Sequence, residues 1–303
     1  MIRLERILCP VDRSEISRLA LEHARTVAKW YGASLSVIEV AWPGMPPIAI
    51  PTIAAAEAGW PLLAPEERKE YEHQLARFCG DAPSGVREQR AIPEGPIVDV
   101  ILRHADDDQA QLIVMGTHGR GGFQHAVLGS VTEKVLRKAK CPVMVVPPHL
   151  AADAHAPSLP YRRILCATDF SPASAKAVEY ALSLAQESGA TLLLTHVTPW
   201  PNAQQLASDS SLSVCALADS VRQAASDRLT KLVPDEARTW CEVRTIVATG
   251  KPHQEIVNAA IGEKADLIVM GVHSRSALAA PFFGSTANQV VRHARCPVLV
   301  VRP

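Results

Sequence analysis

A glycine-rich loop in the first half of the chain has the residue types and the spacing to bind an anion. Gly116 and Gly119 follow a short apolar run, and Gly129 and Ser130 come after nine further residues, where a helical pattern begins. Glycine permits positive φ and close approach of backbone N–H groups, and a helix start adds unpaired donors and a positive dipole end. The pattern predicts a phosphate site. The alternative is a mobile surface loop that the glycines only punctuate.

The most familiar phosphate loops do not match this segment. A P-loop would close with Gly-Lys-Ser/Thr, and a dinucleotide fingerprint would need a third glycine where Gln124 stands and would lie earlier in the chain. The segment does resemble the universal stress protein family. ATP-binding members of that family carry Gly, two residues, Gly, nine residues, Gly and then Ser or Thr, and Gly116, Gly119, Gly129 and Ser130 match every fixed position.

This resemblance implies that the N-terminal half binds ATP, with Mg²⁺ held in part by Asp12. It also implies that adenine contacts backbone and apolar groups at Val40 and Ala41. The full set of expected nucleotide contacts is Pro10, Val11, Asp12, Val40, Ala41, Met115, Gly116, His118, Gly119, Arg120, Gly129, Ser130, Val131 and Thr132. No catalytic residue is expected, because the sequence lacks a P-loop lysine and a second metal-binding carboxylate beside Asp12. The resemblance implies slow or no turnover.

Several of these side chains also have a structural interpretation. Asp12 ends the first strand, where a carboxylate can accept from a ribose hydroxyl, help to hold Mg²⁺ or cap the next helix, a role that Ser14 can also serve. Ser130 is either a phosphate contact or a helix N-cap. Arg120 and His118 are either phosphate contacts or exposed loop side chains, and a histidine can also titrate or bind a metal.

The composition indicates a packed soluble protein without a charge-driven partner. Of 303 residues, 48% are hydrophobic and 20% are charged, and the 31 basic side chains balance the 31 acidic ones. We therefore expect neither nucleic acid nor a membrane as a partner. The first residues lack the apolar region of a signal peptide, and no apolar run reaches the ~18 residues of a membrane span, so the expected location is the cytoplasm.

The cysteines are expected to be buried free thiols. The chain has seven cysteines and no Cys-x-x-Cys pair, and Cys9, Cys141, Cys166 and Cys296 lie in or next to strand patterns. A metal site and a disulfide are the less favoured alternatives.

The chain repeats itself. Arg6-Ile-Leu-Cys9 returns as Arg163-Ile-Leu-Cys166, and Leu112-Ile-Val-Met-Gly116 returns as Leu267-Ile-Val-Met-Gly271. The offset is 157 residues at first and 155 later, far longer than a solenoid unit of roughly 20 to 50 residues. We expect two domains, 1–148 and 161–303, joined by a linker over 149–160. The resemblance implies an intramolecular pair joined through the last strands of the domains, and leaves a homodimer and protein partners open.

The pattern of each half predicts strands that alternate with helices. In the first half, strands are expected over 7–11, 34–40, 86–92, 112–115 and 143–146, and helices from Ser14 to Gly32 and over 66–78, 97–104 and 130–138. The fold class is therefore α/β, with two tandem doubly wound parallel five-stranded sheets and helices on both faces. The resemblance implies the adenine nucleotide alpha hydrolase-like Usp fold. Ligands bind such sheets outside the carboxyl ends of the strands, where the strand order reverses.

The second half departs from the motif. Ser274 stands at the second glycine position, although Gly284 and Ser285 are kept. If that glycine is needed for positive φ and for close approach, the C-terminal domain is expected to bind ATP weakly or not at all. Glu39 and His196 occupy equivalent positions in the second strand of each half, and both are unexpected in a buried strand.

Two other functional classes stay open. An ATP-using enzyme of the same architecture would carry a Ser-Gly-Gly-x-Asp-Ser loop or a His-x-Gly-His signature, and the segment from Cys9 to Ser14 is neither. A nucleotide-free protein that acts by dimerising with stress-response partners is the other class.

Overall fold

The computed structural model describes residues 2–41, 63–117, 128–148, 161–198, 211–272 and 284–302, with the backbone alone for 211–218. Strands and helices alternate through both halves, as the sequence predicts. The strands are β1 Arg6–Pro10, β2 Ser34–Ile38, β3 Arg87–Ala91, β4 Leu112–Gly116, β5 Val143–Val146, β6 Arg163–Ala167, β7 Thr191–Thr198, β8 Val243–Thr249, β9 Leu267–Gly271 and β10 Val298–Val301. The helices are α1 Glu15–Tyr31, α2 Pro65–Cys79, α3 Ile97–Asp107, α4 Ser130–Lys138, α5 Pro172–Ser188, α6 Ser211–Lys231, α7 Pro252–Gly262 and α8 Ser285–His293, with a 3-10 turn at Asp235–Thr239.

The strands form one ten-stranded sheet in the order β3-β2-β1-β4-β5-β10-β9-β6-β7-β8. Within each half all pairings are parallel, and hydrophobic clusters cover both faces. The α/β fold class is confirmed. The two five-stranded sheets join because β5 and β10 pair antiparallel, with Leu299 opposite Met144.

This antiparallel junction sets the direction in which each half faces. All five strands of the first half point one way, and all five of the second half point the other way. The carboxyl ends of the strands in the two halves therefore lie at opposite edges of the sheet. In each half the strand order reverses between the first strand and the fourth, β1 and β4 or β6 and β9.

The first helix of each half starts and stops at residues with a clear local cause. The hydroxyl oxygen of Ser14 accepts from the backbone N–H of Ser17, and Gly32 ends α1 with φ 61°. Ser171 and Gly189 do the same for α5. A serine oxygen satisfies an unpaired N–H of the first turn, and a left-handed glycine ends a helix without a Cβ clash. The predicted starts and ends of α1 are confirmed.

Tyr161 fastens the second half to helix α1 of the first. Its side chain is fully buried, and its hydroxyl lies 2.8 Å from Nδ1 of His23 and 3.5 Å from the sulfur of Met144. The Tyr161 ring stacks on His23 and meets Trp30 edge to face. The contact buries the apolar surface of the rings, and the Tyr161 hydroxyl and His23 Nδ1 serve as each other's hydrogen-bond partner.

A second link between the halves involves helix α4. The guanidinium of Arg302, just past β10, donates to the backbone oxygens of Leu136 and Arg137, the latter at 2.8 Å. A cation at the C-terminal end of a helix is favourable for the helix dipole. Arg292 of α8 also lies 3.7 Å from Glu133 of α4.

The described cysteines are free thiols, as expected, and all but Cys141 are buried. Burial raises the pKa of the Cys9 and Cys166 thiols above the ordinary value, so both stay protonated and behave as small apolar groups. Among the helices in the described ranges, none combines the length and the apolar character needed to cross a membrane.

His23 should make stability depend on pH. Burial lowers its pKa from the ordinary 6.5 to about 4. Because the folded state binds the proton less well than the unfolded state, stability is intact above pH 6.5 and falls as the pH drops toward 4. We expect this histidine alone to remove about 2 kcal/mol between pH 8 and pH 5 in urea unfolding.

His23→Gln, which cannot titrate, should lower stability at pH 8 and reduce its pH dependence by about that 2 kcal/mol. His73→Gln, at an exposed position of α2, is the matched control and should leave the pH dependence unchanged. Equal pH dependence in wild type and His23→Gln would contradict the assignment.

Candidate functional site

The carboxyl ends of β1 and β4 are adjacent in the first half, and the predicted contacts come from these two strands and from β2. Pro10 is the last residue of β1, and Met115 and Gly116 are the last two of β4. Val11 continues beyond β1 and donates its N–H to the carbonyl of Ile38 at 2.8 Å. The residues beyond the three strand ends therefore meet at one edge, where the strand order reverses.

The N-terminus of α4 supplies backbone donors at the same edge. Gly129 is the N-cap residue, and the first intrahelical bond runs from the N–H of Glu133 to its carbonyl at 2.9 Å. The N–H groups of Ser130, Val131 and Thr132 precede that bond, so they have no acceptor within the helix. Ser130 is the first helical residue rather than the N-cap, so its interpretation as a cap is wrong.

Two hydrogen bonds hold this helix start against strand β4. The Thr132 hydroxyl donates to the carbonyl of Gly116 at 2.8 Å, and the N–H of Gly129 donates to the carbonyl of Thr117 at 2.8 Å. The Thr132 hydroxyl is thus engaged in positioning the helix, and its backbone N–H has no acceptor within the helix. A phosphate at this site would be bound by main-chain donors.

The glycines at the strand and helix ends serve close approach rather than an unusual backbone. Gly129 has φ −59° and its counterpart Gly284 has φ −51°, values that any residue adopts. A Cβ on Gly271, the counterpart of Gly116, would come within 2.4 Å of the carbonyl oxygen of Ala173. The backbone conformation therefore does not require glycine at Gly129 or Gly284. At Gly271 the glycine makes room for helix α5.

Asp12 has a structural role in the turn after β1. One carboxylate oxygen accepts from the backbone N–H of Ser14 at 3.0 Å and from the Ser14 hydroxyl at 2.6 Å. Ser14 is therefore the residue that caps α1, and Asp12 orients it. The side chain is half-buried and lies just beyond the carboxyl end of β1.

The backbone groups of Ala41 are already used within the protein. Its N–H donates to the carbonyl of Pro93 at 2.9 Å, and its carbonyl accepts from the N–H of Gly95 at 3.2 Å. Successive residues of a strand present their backbone groups to opposite edges. Val40 therefore presents its groups toward the β1 side, and it is the better candidate of the two for a base contact through the main chain.

Three expected contacts, His118, Gly119 and Arg120, lie outside the described residues. In the part of the chain that the structure describes, no group of three or more His, Cys, Asp or Glu side chains has the arrangement of a metal site. Asp12 is thus the one predicted metal ligand that the structure locates, and it would hold a cation only together with groups from a ligand or water.

A charged cluster beside this edge explains Glu39. Glu39 is buried, and Oε1 lies 2.9 Å from Nε of Arg13, whose guanidinium lies 5.6 Å from the ring of Tyr71. The Arg13 Nε–H is not aligned with the oxygen, so the contact is an ion pair rather than a directed hydrogen bond. Arg13 has φ 63°, a strained value that these contacts offset.

The second half has the same cluster with the cation and the ring exchanged. Phe170, at φ 62°, replaces Arg13, and Arg228 replaces Tyr71, with the guanidinium 3.9 Å from the Phe170 ring. His196 replaces Glu39, and its Nδ1 lies 2.8 Å from the carbonyl of Thr168. A cation over an aromatic face therefore holds the turn after the first strand in both halves.

Removing the cation should cost more in the first half than in the second. Arg13→Ala leaves the carboxylate of Glu39 without this cation and should lower the free energy of unfolding by about 3 kcal/mol, the low end for a buried pair because the Arg13 side chain is 19% exposed. The matched control Arg228→Ala removes only a cation–π contact and should cost about 1 kcal/mol or less. Urea unfolding measures both. Adding Glu39→Gln to Arg13→Ala should recover most of the loss, and strict additivity would contradict the pairing.

Comparisons with known proteins agree with this architecture. The sequence model of the Universal stress protein family matches residues 3–147 and 160–302. Universal stress protein Rv1996 of Mycobacterium tuberculosis is 26% identical over 324 aligned positions, which cover 98% of this chain and 94% of that protein. Universal stress protein Rv2005c of the same organism is 30% identical over 198 residues, and this match covers 64% of the chain and only 63% of that relative.

A solved structure matches over almost the whole chain. The crystal structure of a universal stress protein from Archaeoglobus fulgidus DSM 4304 covers 99% of this chain and 97% of that one, with a TM-score of 0.65 and 26% identity. Both halves are matched by the same sequence model. The chain therefore belongs to the universal stress protein family, with one family domain in each half.

Proposed function

We propose that this tandem universal stress protein binds ATP in its N-terminal half and acts as a regulatory, stress-response module with little or no turnover. The observation that carries the proposal is the helix start at Gly129. Its backbone donors lie at the strand-order reversal, fastened to β4 by Thr132 and Gly129. Main-chain donors at a helix N-terminus are suited to phosphate oxygens.

The residues that would hold ATP fall into three groups. The N–H groups of Ser130, Val131 and Thr132 would hold phosphate oxygens, together with the loop that includes Gly119. The half-buried carboxylate of Asp12 would accept from ribose or contact Mg²⁺. Val40 would contact the base through its backbone.

A single protein carboxylate is compatible with Mg²⁺. This ion usually keeps several waters and is bound through one or two carboxylates together with substrate phosphates. Asp12 fits that pattern, although one of its oxygens already accepts from Ser14. When bound, Mg²⁺ would neutralise phosphate charge.

Low turnover is supported by two features of phosphoryl-transfer sites that this chain lacks, one in its sequence and one among its described residues. Phosphoryl transfer by P-loop proteins uses a lysine and metal-binding carboxylates around the phosphates. The sequence has no Gly-Lys-Ser/Thr segment, and the described residues hold no acidic cluster of metal-binding size. Such a site would retain ATP as a signal rather than consume it.

The domain plan belongs to the same proposal. Residues 1–148 form the nucleotide-binding domain, 149–160 form the linker, and 161–303 form a domain with a degenerate motif and weak or no affinity for ATP. A homodimer and protein partners would use surfaces other than the β5–β10 junction, since that pairing already covers both strand edges. A nucleotide-free protein would give no ATP signal in the experiments below.

Gly119→Val should abolish ATP binding, because a branched side chain would block the close approach of the loop to phosphate. Ser274→Val is the matched control at the equivalent position of the second half, and it should leave the main binding event unchanged. Titration calorimetry with Mg-ATP measures both. Wild-type affinity in a folded Gly119→Val protein would overturn the site.

The stoichiometry of ATP binding should be near one per chain. A non-glycine residue at position 274 is expected to cost about 1 to 3 kcal/mol if the loop requires glycine there, which is a loss of roughly 5- to 150-fold in affinity. The same calorimetric titration on the wild-type protein counts the sites. Two ATP molecules bound per chain with similar affinity would contradict the asymmetry.

A further inference from the structure

Each half has a pocket at the amino ends of its last two strands, opposite to the carboxyl ends. The pocket lies between the C-terminal ends of two helices, α3 and α4 in the first half and α7 and α8 in the second. The two pockets have volumes of about 270 Å³ and about 190 Å³. Their lining residues correspond at an offset of 155, so that Ala105 matches Ala260 and Cys141 matches Cys296.

The backbone around the two pockets is the same. The N–H of Ala110 donates to the carbonyl of Ala105 at 2.8 Å, and the N–H of Ala265 donates to the carbonyl of Ala260 at 2.8 Å. Each of these bonds closes the turn between the end of a helix and the next strand. The pockets therefore differ in their side chains, and the first half serves as an internal reference for the second.

The polar side chains at the rim of the first pocket are paired within the chain. Nζ of Lys140 lies 2.7 Å from Oδ2 of Asp106. Oε1 of Gln109 accepts from the guanidinium of Arg6 at 3.1 Å. This rim offers an outside partner no unmatched charge at these positions.

The rim of the second pocket has the cation without the carboxylate. Ile261 stands at the position of Asp106 and is 46% exposed. The cation is kept as Arg295, and Lys264 adds a second cation where the first half has Gln109. Both cations are exposed, and neither side chain has an ion-pair or hydrogen-bond partner among the described residues.

The acidic residues on either side of Lys264 and Ala265 are engaged elsewhere. Oε2 of Glu263 lies 3.2 Å from the guanidinium of Arg244. One carboxylate oxygen of Asp266 accepts from the backbone N–H groups of Arg162 and Arg163 at 2.8 and 2.9 Å. The two cations of the rim are thus left for a carboxylate from outside.

The interior of the second pocket is apolar and neutral. Val257 and buried Cys296 form part of its wall, and burial raises the pKa of the Cys296 thiol to about 12, so that it stays protonated. The carbonyls of Ala260 and Ile261 already accept from backbone N–H groups of the turn that follows. The pocket is smaller than the roughly 300 Å³ from which small-molecule sites begin, and it suits a single inserted side chain.

We propose that this pocket docks a protein partner through a short acidic segment, which inserts one aliphatic side chain between α7 and α8 and sets carboxylates against Lys264 and Arg295. An apolar anchor in a pocket with complementary charge at the rim is a usual arrangement at protein interfaces. The first half shows the expected charge pairing, because Asp106 pairs there with Lys140, the counterpart of Arg295. In that half the chain supplies the carboxylate itself, so docking is confined to the second half.

This proposal does not rest on ATP binding. The pocket lies at the amino ends of β9 and β10 and includes none of the expected nucleotide contacts. The experiment below uses no added nucleotide. Failure of the ATP titration therefore leaves the docking site standing, and failure of the docking test leaves the ATP site standing.

Amide NMR on the full-length protein with short capped peptides tests the docking site. The probe is acetyl-Glu-Leu-Glu-amide, and two comparison peptides have glutamine in place of glutamate or alanine in place of leucine. We expect the probe to shift the amide signals of Ala265 and Arg295 saturably. The glutamine peptide should bind about fivefold more weakly and the alanine peptide about tenfold more weakly. Added salt should weaken binding of the probe alone.

Ile261→Asp gives the second pocket the residue that stands in the first. The new carboxylate should pair with Arg295 as Asp106 does with Lys140, and affinity for the probe should fall about tenfold. Ile97→Asp is the matched control at another exposed isoleucine, which lies outside the pocket. It should leave the affinity unchanged.

The reverse exchange tests the same cause in the first half. Asp106→Ile frees Lys140 and adds an aliphatic wall, so the probe should shift the amide signals of Ala110 and Lys140 in this variant and not in wild type. The binding should be weaker than in the second half, because Gln109 replaces one of the two cations.

Four results would overturn the proposal. The first is no shift of the second-pocket amides at roughly 10 mM probe. The others are equal affinity for the glutamate and glutamine peptides, wild-type affinity in Ile261→Asp, and no gain of binding in Asp106→Ile. A nuclear Overhauser contact between the Ile261 methyl and residues 149–160 in the ligand-free protein would also overturn it, because the chain would then fill its own pocket.

Discussion

The pairing of β5 with β10 is the interaction on which the rest of the structure depends. Each half alone would leave a short strand of buried valines and their backbone groups open at an edge, and such edges invite uncontrolled association. Antiparallel pairing of β5 and β10 gives the backbone groups of both strands hydrogen-bond partners and fixes the halves in one relative orientation. Tyr161 and Arg302 add side-chain contacts to α1 and α4 between the same two halves.

The fold was predictable from the sequence because its signals are local and repeated. Buried parallel strands appear as short apolar runs. Ser14 marks the start of α1 because its side chain caps the helix, and Gly32 marks the end because a residue without Cβ adopts the left-handed conformation easily. The cluster of Arg13, Glu39 and Tyr71 was not predictable, because its members come from three separate segments. The unexpected Glu39 was the signal in the sequence, but its partner Arg13 depends on the pairing of β1 with β2 and on the turn after β1.

The candidate site was predictable in place but not in detail. Strand ends at the point of order reversal gather in any sheet of this kind, so Asp12, Gly116 and Gly129 were expected to meet. The hydrogen bonds among them decide which groups remain for a ligand. The Thr132 hydroxyl donates to the carbonyl of Gly116, and both backbone groups of Ala41 are hydrogen-bonded to the neighbouring segment. Such assignments require coordinates, because several acceptors lie within reach of each donor.

The antiparallel junction also fixes how the two halves can communicate. Their strand ends face away from each other at opposite ends of a continuous sheet, so the described strand ends of the two halves do not form one shared site. The described contacts that join the two strand-end regions run through the shared sheet and through α4, whose C-terminal end is contacted by the Arg302 guanidinium. The duplication therefore gives the chain two strand-end surfaces that point in opposite directions, and each can be approached without passing the other.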